Sequence, residues 1–274
     1  MHNQYTANVT RNARLTGAYY VMTLEYKPSA DHGEVVPGQF VMMRPCVSGA
    51  PLLPRPMSIL DWRAKADGTA QVDIFYKVHG TGTDLMSTLT MDNTVDLLTP
   101  LGNGFPEHIE GPVYLVGGGV GIPPLVNWTR ERHPDYATGA IHYFVGGRTK
   151  DDIFYDREME RLGAQVHIAT NDGSRGHAGF VTLPFEEVLK KSDGSGTVLT
   201  CGPMAMMQAV SQLSDQYGVT CLASLEAYMA CGFGVCLGCV VPNKAGEFIR
   251  LCVDGPVMDT AYVDIHSKYL GALG

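Results

Sequence analysis

The feature that most constrains this chain is the spacing of four of its seven cysteines, Cys231-x4-Cys236-x2-Cys239-x12-Cys252, which opens in the stretch YMACGFGVCLGC. A C-x4-C-x2-C…C run is the plant-type pattern in which four thiolates hold a [2Fe-2S] cluster. One tight loop supplies three ligands and a distant segment closes the other side. Gly232, Gly234 and Gly238 suit such a loop, because backbone without side chains can curl around a cluster and aim N–H groups at its sulfurs. Two blander readings compete: a structural zinc site, and thiols buried as small hydrophobes. Structural zinc usually shows two separated close pairs, and Cys252 has no near cysteine neighbour. Cys46, Cys201 and Cys221 lie outside the pattern, and Cys46 and Cys221 are expected as buried core thiols.

With 274 residues, the chain can bury a sizeable core and divide into two or three domains. A net charge of −8 without a basic run excludes nucleic acid as the main partner, since a phosphate backbone needs a basic face. An odd, clustered set of cysteines argues against a secreted disulfide framework. No apolar run reaches the roughly 18 residues of a membrane span, and the N-terminal stretch lacks a signal-peptide pattern. The expectation is a soluble cytoplasmic protein without a membrane or nucleic-acid partner.

Residues 1–108 read as short alternating strands (GQFVMMRPC, AQVDIFYKV, TVDLLTPLG) separated by Gly, Pro, Asp and Asn, which predicts a small antiparallel β-barrel. From 109 to 220 buried apolar strands alternate with helices, which predicts a doubly wound α/β domain with a parallel sheet. Residues 221–274 carry the cysteine motif and form a small third domain.

Each of the first two regions holds a ligand signal. In RPMSI, Arg55 offers a bidentate donor to a pyrophosphate and Ser58 a hydroxyl. In FYKVHGTGT, Tyr76 suits the border of an aromatic ring system, and Gly82 and Thr83 offer donors to phosphate near a helix start. Surface ion pairing for Arg55 and strand filling for Tyr76 are the bland readings, and His79 reads as an ordinary surface or strand histidine. LVGGGVGIPPL (115–125) is a strand, a turn with glycines at 117, 118, 119 and 121, and a helix from Pro123 or Pro124. Such a turn lets a dinucleotide approach the backbone, although it departs from the strict G-x-G-x-x-G fingerprint. Cys201, Gly202 and Pro203 fall at a second strand end, on the sheet edge where ligands bind. The nearby Met204, Met206 and Met207 read as helix packing.

The succession R-P-x-S, G-G-G-x-G, C-G-P and C-x4-C-x2-C-x12-C resembles the ferredoxin–NADP reductase superfamily. Within it, the whole chain is similar to the electron-transfer subunits of class 1B dihydroorotate dehydrogenases, most specifically over SLEAYMACGFGVCLGCVVP…LCVDGPV (224–257). The resemblance implies FAD held by Arg55, Pro56, Met57 and Ser58, by Phe75, Tyr76 and Lys77, and by Gly82 and Thr83. It implies a nicotinamide side lined by Gly117, Gly118, Gly119, Gly121, Cys201, Gly202 and Pro203, and a [2Fe-2S] cluster on Cys231, Cys236, Cys239 and Cys252. It further implies a partner subunit that carries FMN and oxidises dihydroorotate to orotate in pyrimidine biosynthesis, as a heterotetramer of two of each chain. Electrons would cross the cluster to FAD and leave as hydride on NAD+, with no side-chain acid or base dominating. Related subunits of ferredoxin or sulfide oxidoreductases typically have Asp where Cys231 stands, so the cysteine favours the dihydroorotate reading. A redox sensor of similar parts would not need the nicotinamide site. Lys77 and His79 depart from the common pattern. Arg148 could meet a ribose phosphate, but Asp151 and Asp152 oppose it, which favours NAD over NADP.

Overall fold

A computed structural model describes residues 3–271 and shows two seven-stranded sheets. The first is antiparallel and contains β1 (Asn3–Thr16), β2 (Tyr19–Tyr26), β3 (Phe40–Pro45), β4 (Arg55–Ser58), β5 (Asp61–Ala64), β6 (Ala70–Lys77) and β7 (Thr94–Leu101). Its order is β4-β3-β7-β1-β2-β6-β5. β4 and β5 lie at opposite ends of that order, yet only Ile59 and Leu60 join them. The sheet must therefore curl until its ends meet: the Ile59 N–H donates to Gln39 O beside β3, and the Leu60 N–H donates to Asp73 O of β6. In β7, Val95, Leu97, Thr99 and Leu101 alternate inward with half-buried residues between them, as a strand with one buried face should. The curl encloses a core of Met22, Leu24, Val41, Met43, Val72, Ile74, Tyr76, Val95 and Leu97. Helix α1 (Thr81–Ser87) follows β6.

The second sheet is parallel but for its last strand. It contains β8 (Val113–Gly118), β9 (Ile141–Gly147), β10 (Gln165–Thr170), β11 (His177–Ala178), β12 (Thr197–Cys201) and β13 (Thr220–Ser224), with helices α2 (Pro123–Arg132), α3 (Asp156–Arg161), α4 (Thr182–Leu189) and α5 (Met204–Tyr217) between strands. All six residues of β8 are buried, as expected of a strand covered on both faces. Helix α2 begins with Pro123 in its first turn, where the missing N–H costs nothing. Helix α5 ends on Gly218 in the left-handed region.

The cysteine segment adds a hairpin of β14 (Val240–Pro242) and β15 (Phe248–Arg250), a short α6 (Leu251–Asp254) and β16 (Val257–Asp259). Strand β16 pairs antiparallel with β13, so the cysteine segment supplies the final strand of the second sheet. Asn103 ties the segment to the barrel as well: its Nδ2 donates to Val253 O and Asp254 O at 3.0 and 3.2 Å. A shared core joins Phe40, Met42 and Leu101 of the barrel to Met207, Ala223, Cys239, Val241 and Cys252. No helix among the described residues is long and apolar enough to cross a membrane.

Candidate functional site

Around β8 the strand order is β10-β9-β8-β12-β13, so the chain runs outward in one direction and then returns to the other side. The switch point lies between β8 and β12, where the crevice outside the carboxyl ends of the strands is the preferred ligand site. Gly117 pairs in register with Cys201, bringing the two expected nicotinamide-side segments face to face. The contact is backbone on backbone: a methyl on Gly121 would collide with the main chain of Gly202 and Cys201. Cys201 is buried, and burial followed by the charge of Glu226 pushes its thiol up to about 12, so it presents a neutral S–H at the crevice. Solvent reaches the Glu226 side chain, but the surrounding protein still raises its carboxyl above the usual range. Sequence reasoning missed this residue, although it stands two positions after β13 at the same sheet edge.

On the barrel side, the Arg55 guanidinium lies directly on Gly82, at a distance no Cβ would permit, and Arg55 Nη1 donates to Leu53 O. The Ser58 hydroxyl has no hydrogen-bond partner among the described residues. Thr83 Oγ1 accepts from the His79 N–H at 2.7 Å and donates to Gly80 O at 3.2 Å, so this hydroxyl is engaged within its own turn. What remains for an anion is the guanidinium, the Ser58 hydroxyl and the first N–H groups of α1, a donor set suited to a pyrophosphate. Pro56 and Met57 pair across β4 with Met42 and Val41 of β3, and Met57 packs on the barrel core.

The three expected residues of β6 divide by strand alternation. Tyr76 points into the barrel, buried, with its hydroxyl donating to Asn12 Oδ1 at 2.9 Å, so its ring fills the core and borders no outside ligand. Phe75 and Lys77 face out toward the second sheet. Phe75 stacks on Tyr19 with ring centroids 5.6 Å apart, and Lys77 Nζ sits 5.0 Å from the Tyr19 ring centre. Phe154 and Tyr155 meet Phe75 edge-on at 5.0 and 5.9 Å. Neither Tyr19 nor this aromatic layer was legible from motif spacing. Tyr155 holds φ 61° without being glycine, a sparsely populated conformation of the kind that gathers at functional sites. Arg148, weighed as a ribose-phosphate ligand, is committed to Asp152: its N–H and Nε both donate to Asp152 Oδ2 at 3.1 Å.

The four motif cysteines form two pairs. The Cys236 N–H donates to Cys231 Sγ at 3.5 Å, while the sulfurs of Cys239 and Cys252 are 3.2 Å apart. Among the described residues no three ligating groups converge on one point. Two pairs suit two metal ions bridged together better than one tetrahedral ion. Burial raises the Cys231 thiol, but the N–H groups of Cys236, Phe233 and Val235 outweigh it and bring the thiol down to about 6. Burial and the neighbouring Cys239 push Cys252 up to about 12. The loop obtains its curvature from Gly232 and Gly234, both at positive φ, and from Leu237 at φ 58°. Gly238 meets one half of its expectation and not the other: it donates its N–H to Cys236 Sγ at 3.4 Å, but it keeps an ordinary φ and adds no reversed turn. These N–H groups aimed at sulfur fit a cluster held by thiolates.

Outside the motif, Cys221 is buried as expected, whereas Cys46 is exposed. Cys46 follows β3 beyond Pro45, where its N–H donates to Thr94 O and its thiol donates to Arg44 O at 3.9 Å. A methyl on Gly232 would strike Met42, and Met42 pairs in register with Pro56. One strand therefore separates the cysteine loop from the Arg55–Ser58 motif, and neighbouring strands are only about 5 Å apart.

Comparison with known proteins agrees with this geometry. Residues 226–264 match the iron-sulfur cluster binding domain of dihydroorotate dehydrogenase B, and residues 115–212 match the oxidoreductase NAD-binding domain. The electron transfer subunit of dihydroorotate dehydrogenase B (NAD(+)) from Bacillus velezensis is 36% identical over 260 residues, covering 91% of this chain and 94% of that one. Its counterpart from Caldanaerobacter subterraneus is 36% identical over 255 residues, covering 92% and 94%. Among solved structures, an NADH-dependent reduced ferredoxin–NADP oxidoreductase superposes with a TM-score of 0.80 at 26% identity, over 95% of this chain and 90% of that one. An Amycolatopsis cytochrome P450 reductase shares the fold over 79% of this chain and 66% of that one, with a TM-score of 0.65 at 24% identity. With this barrel, this crevice and these four thiols, the chain belongs to the family of electron-transfer subunits of dihydroorotate dehydrogenase B, flavin- and iron-sulfur-dependent oxidoreductases that use NAD.

Proposed function

We propose that this chain accepts electrons from a catalytic partner that oxidises dihydroorotate to orotate, and delivers them to NAD+. When bound, the [2Fe-2S] cluster handles single electrons and FAD links it to the two-electron chemistry of nicotinamide. In this reading Cys231, Cys236, Cys239 and Cys252 are the cluster ligands. Arg55, Ser58, Gly82 and Thr83 bind the FAD pyrophosphate, the last two through their N–H groups. Pro56, Met57, Phe75 and Lys77 shape the flavin's surroundings, and Tyr76 contributes backbone only. Gly117–Gly121 and Cys201–Pro203 receive the nicotinamide, with Cys201 kept neutral so that it packs without charge. The functional units are residues 1–108, 109–220 and 221–274, working in the cytoplasm as two copies each of this chain and an FMN-containing partner.

The observation that carries the reading is the adjacency of the cysteine loop, Met42 and Pro56, which provides a short route between the two expected redox sites. The partner would dock where the loop exposes Val235 and Leu237, at 73% and 56% of their surfaces. NAD is favoured over NADP because the Asp152 carboxylate beside Arg148 opposes the extra phosphate that NADP carries.

The test is to isolate the chain anaerobically from its native cells with whatever binds it, add dihydroorotate and NAD+, and follow NADH absorbance. NADH formation with a co-purifying FMN protein is expected. No NADH from a complex with intact flavin and cluster spectra would overturn the substrate assignment and favour a ferredoxin-type oxidoreductase, in line with the 26% identical structure.

A further inference from the structure

Asp152 lies at the end of a 3-10 turn (Lys150–Asp152) after β9 and is 7% exposed. A buried carboxylate is costly unless it is bonded on all sides, and the partners of this one come from a barrel strand and from the turn that follows β9. Its Oδ1 accepts from the Tyr19 hydroxyl of the barrel at 3.0 Å, and its Oδ2 accepts from the N–H and Nε of Arg148. Tyr19 belongs to the aromatic layer with Phe75 and carries Lys77 over its ring, so one arm of the carboxylate ends among the residues expected beside the flavin. Its hydroxyl is also 3.9 Å from where a side chain on Gly119 would begin, against the nicotinamide loop. The other arm fixes Arg148, whose side chain is 70% exposed at the carboxyl edge of the parallel sheet.

We propose that Asp152 is a positioning residue for hydride transfer: through Tyr19 it sets the nicotinamide loop against the flavin-facing layer, and through Arg148 it holds a cation toward the dinucleotide. The proposal rests on the function proposed above. Hydride transfer needs its two carbons in near contact, and a misplacement of about 1 Å can cost on the order of 10²-fold in rate. A hydrogen bond spanning the two sheets is well placed to fix that gap.

The test uses the full-length, FAD-loaded chain. The limiting rate of flavin bleaching by NADH is measured by stopped flow, and NAD+ binding is measured by calorimetry. Tyr19→Phe removes one hydroxyl without changing shape; it should lower the limiting rate about tenfold while the NAD+ dissociation constant stays within about twofold. Arg148→Ala should weaken NAD+ binding several-fold, and Asp152→Asn should show both losses. Wild-type limiting rates in Tyr19→Phe would overturn the proposal, and a lower melting temperature alone would then mark the bond as structural only. If Asp152→Asn fails to fold, Tyr19→Phe decides by itself. Wild-type flavin left unbleached by NADH would instead sink the proposed function, and this inference with it.

Discussion

Two glycine-rich loops do opposite things in this molecule. The Gly117–Gly121 loop is closed against its own chain: Gly121 touches the main chain of Gly202, and Ile122, Leu125 and Val126 behind it are fully buried. The Cys231–Cys239 loop is anchored at one end and open at the other, with Cys239 and Cys252 buried while Val235, Cys236 and Leu237 face outward. Under the proposed function the first loop receives a small diffusing ligand, which needs a rigid floor, and the second meets another protein, which needs a protruding rim. The same residue type serves both because it permits close approach in the first loop and reversed backbone in the second.

Removing a thiolate should separate the loops most sharply. Cys252→Ser removes a buried thiol that the proposed function makes a cluster ligand, and is expected to abolish the cluster, measured as iron content, while FAD content and NADH-driven reduction of ferricyanide persist. Loss of FAD as well would mean that the open loop is not separable from the closed one. Gly121→Ala comes next. Its methyl meets backbone that cannot rotate away, so we expect a loss of about 1–3 kcal/mol in urea unfolding of the FAD-loaded chain, together with weaker NAD+ binding. Gly234→Ala faces φ +84° and a contact to Val253 Cγ2 at 2.7 Å, but its neighbour is a half-buried side chain of α6 rather than backbone. A loss of about 1–2 kcal/mol is expected there, with NAD+ affinity unchanged. A larger effect at Gly234 than at Gly121 would reverse the comparison.

The smallest effect is in acid. Burial raises the Asp152 carboxyl, but the bonds from Arg148 and Tyr19 outweigh it and hold it below the usual range. The unfolded chain therefore takes up the proton first. The stabilisation is complete above roughly pH 4, the ordinary carboxylate value, and is lost as pH falls through the lower folded value. Unfolding midpoints measured downward from about pH 5 should fall less steeply in Asp152→Asn than in wild type, and identical slopes would remove Asp152 from the acid-sensitive groups.

Much of this was legible in the sequence because spacing encodes local geometry. The cysteine run, the Gly117–Gly121 turn and the Cys201–Pro203 strand end each carry their signal in a few neighbouring residues, and the structure places the two turns at strand ends as that local signal predicts. Contacts made across the fold were not legible. Tyr19 and Asp152 are 133 positions apart, and nothing in either neighbourhood announces the other. Tyr76 was misjudged as a ring-border residue because the strand's phase relative to the barrel decides which of two adjacent aromatics faces out. Cys46 was expected inside because the average cysteine is buried, and a bend after β3 overrode that average. The backbone burden assigned to Gly238 falls partly on Leu237, which no propensity would select.

The two outer strands of the parallel sheet also differ. β11 has two residues, too few to template another strand, whereas β13 offers five and is covered by β16 from the cysteine segment. A chain cut before residue 257 would bare the hydrogen-bonding groups of Leu222, Ala223 and Ser224 along an open edge, the kind of surface on which chains stack into aggregates. The segment that brings iron to this protein is thereby also its guard against self-association, and its loss would be noticed first as insolubility rather than as missing colour.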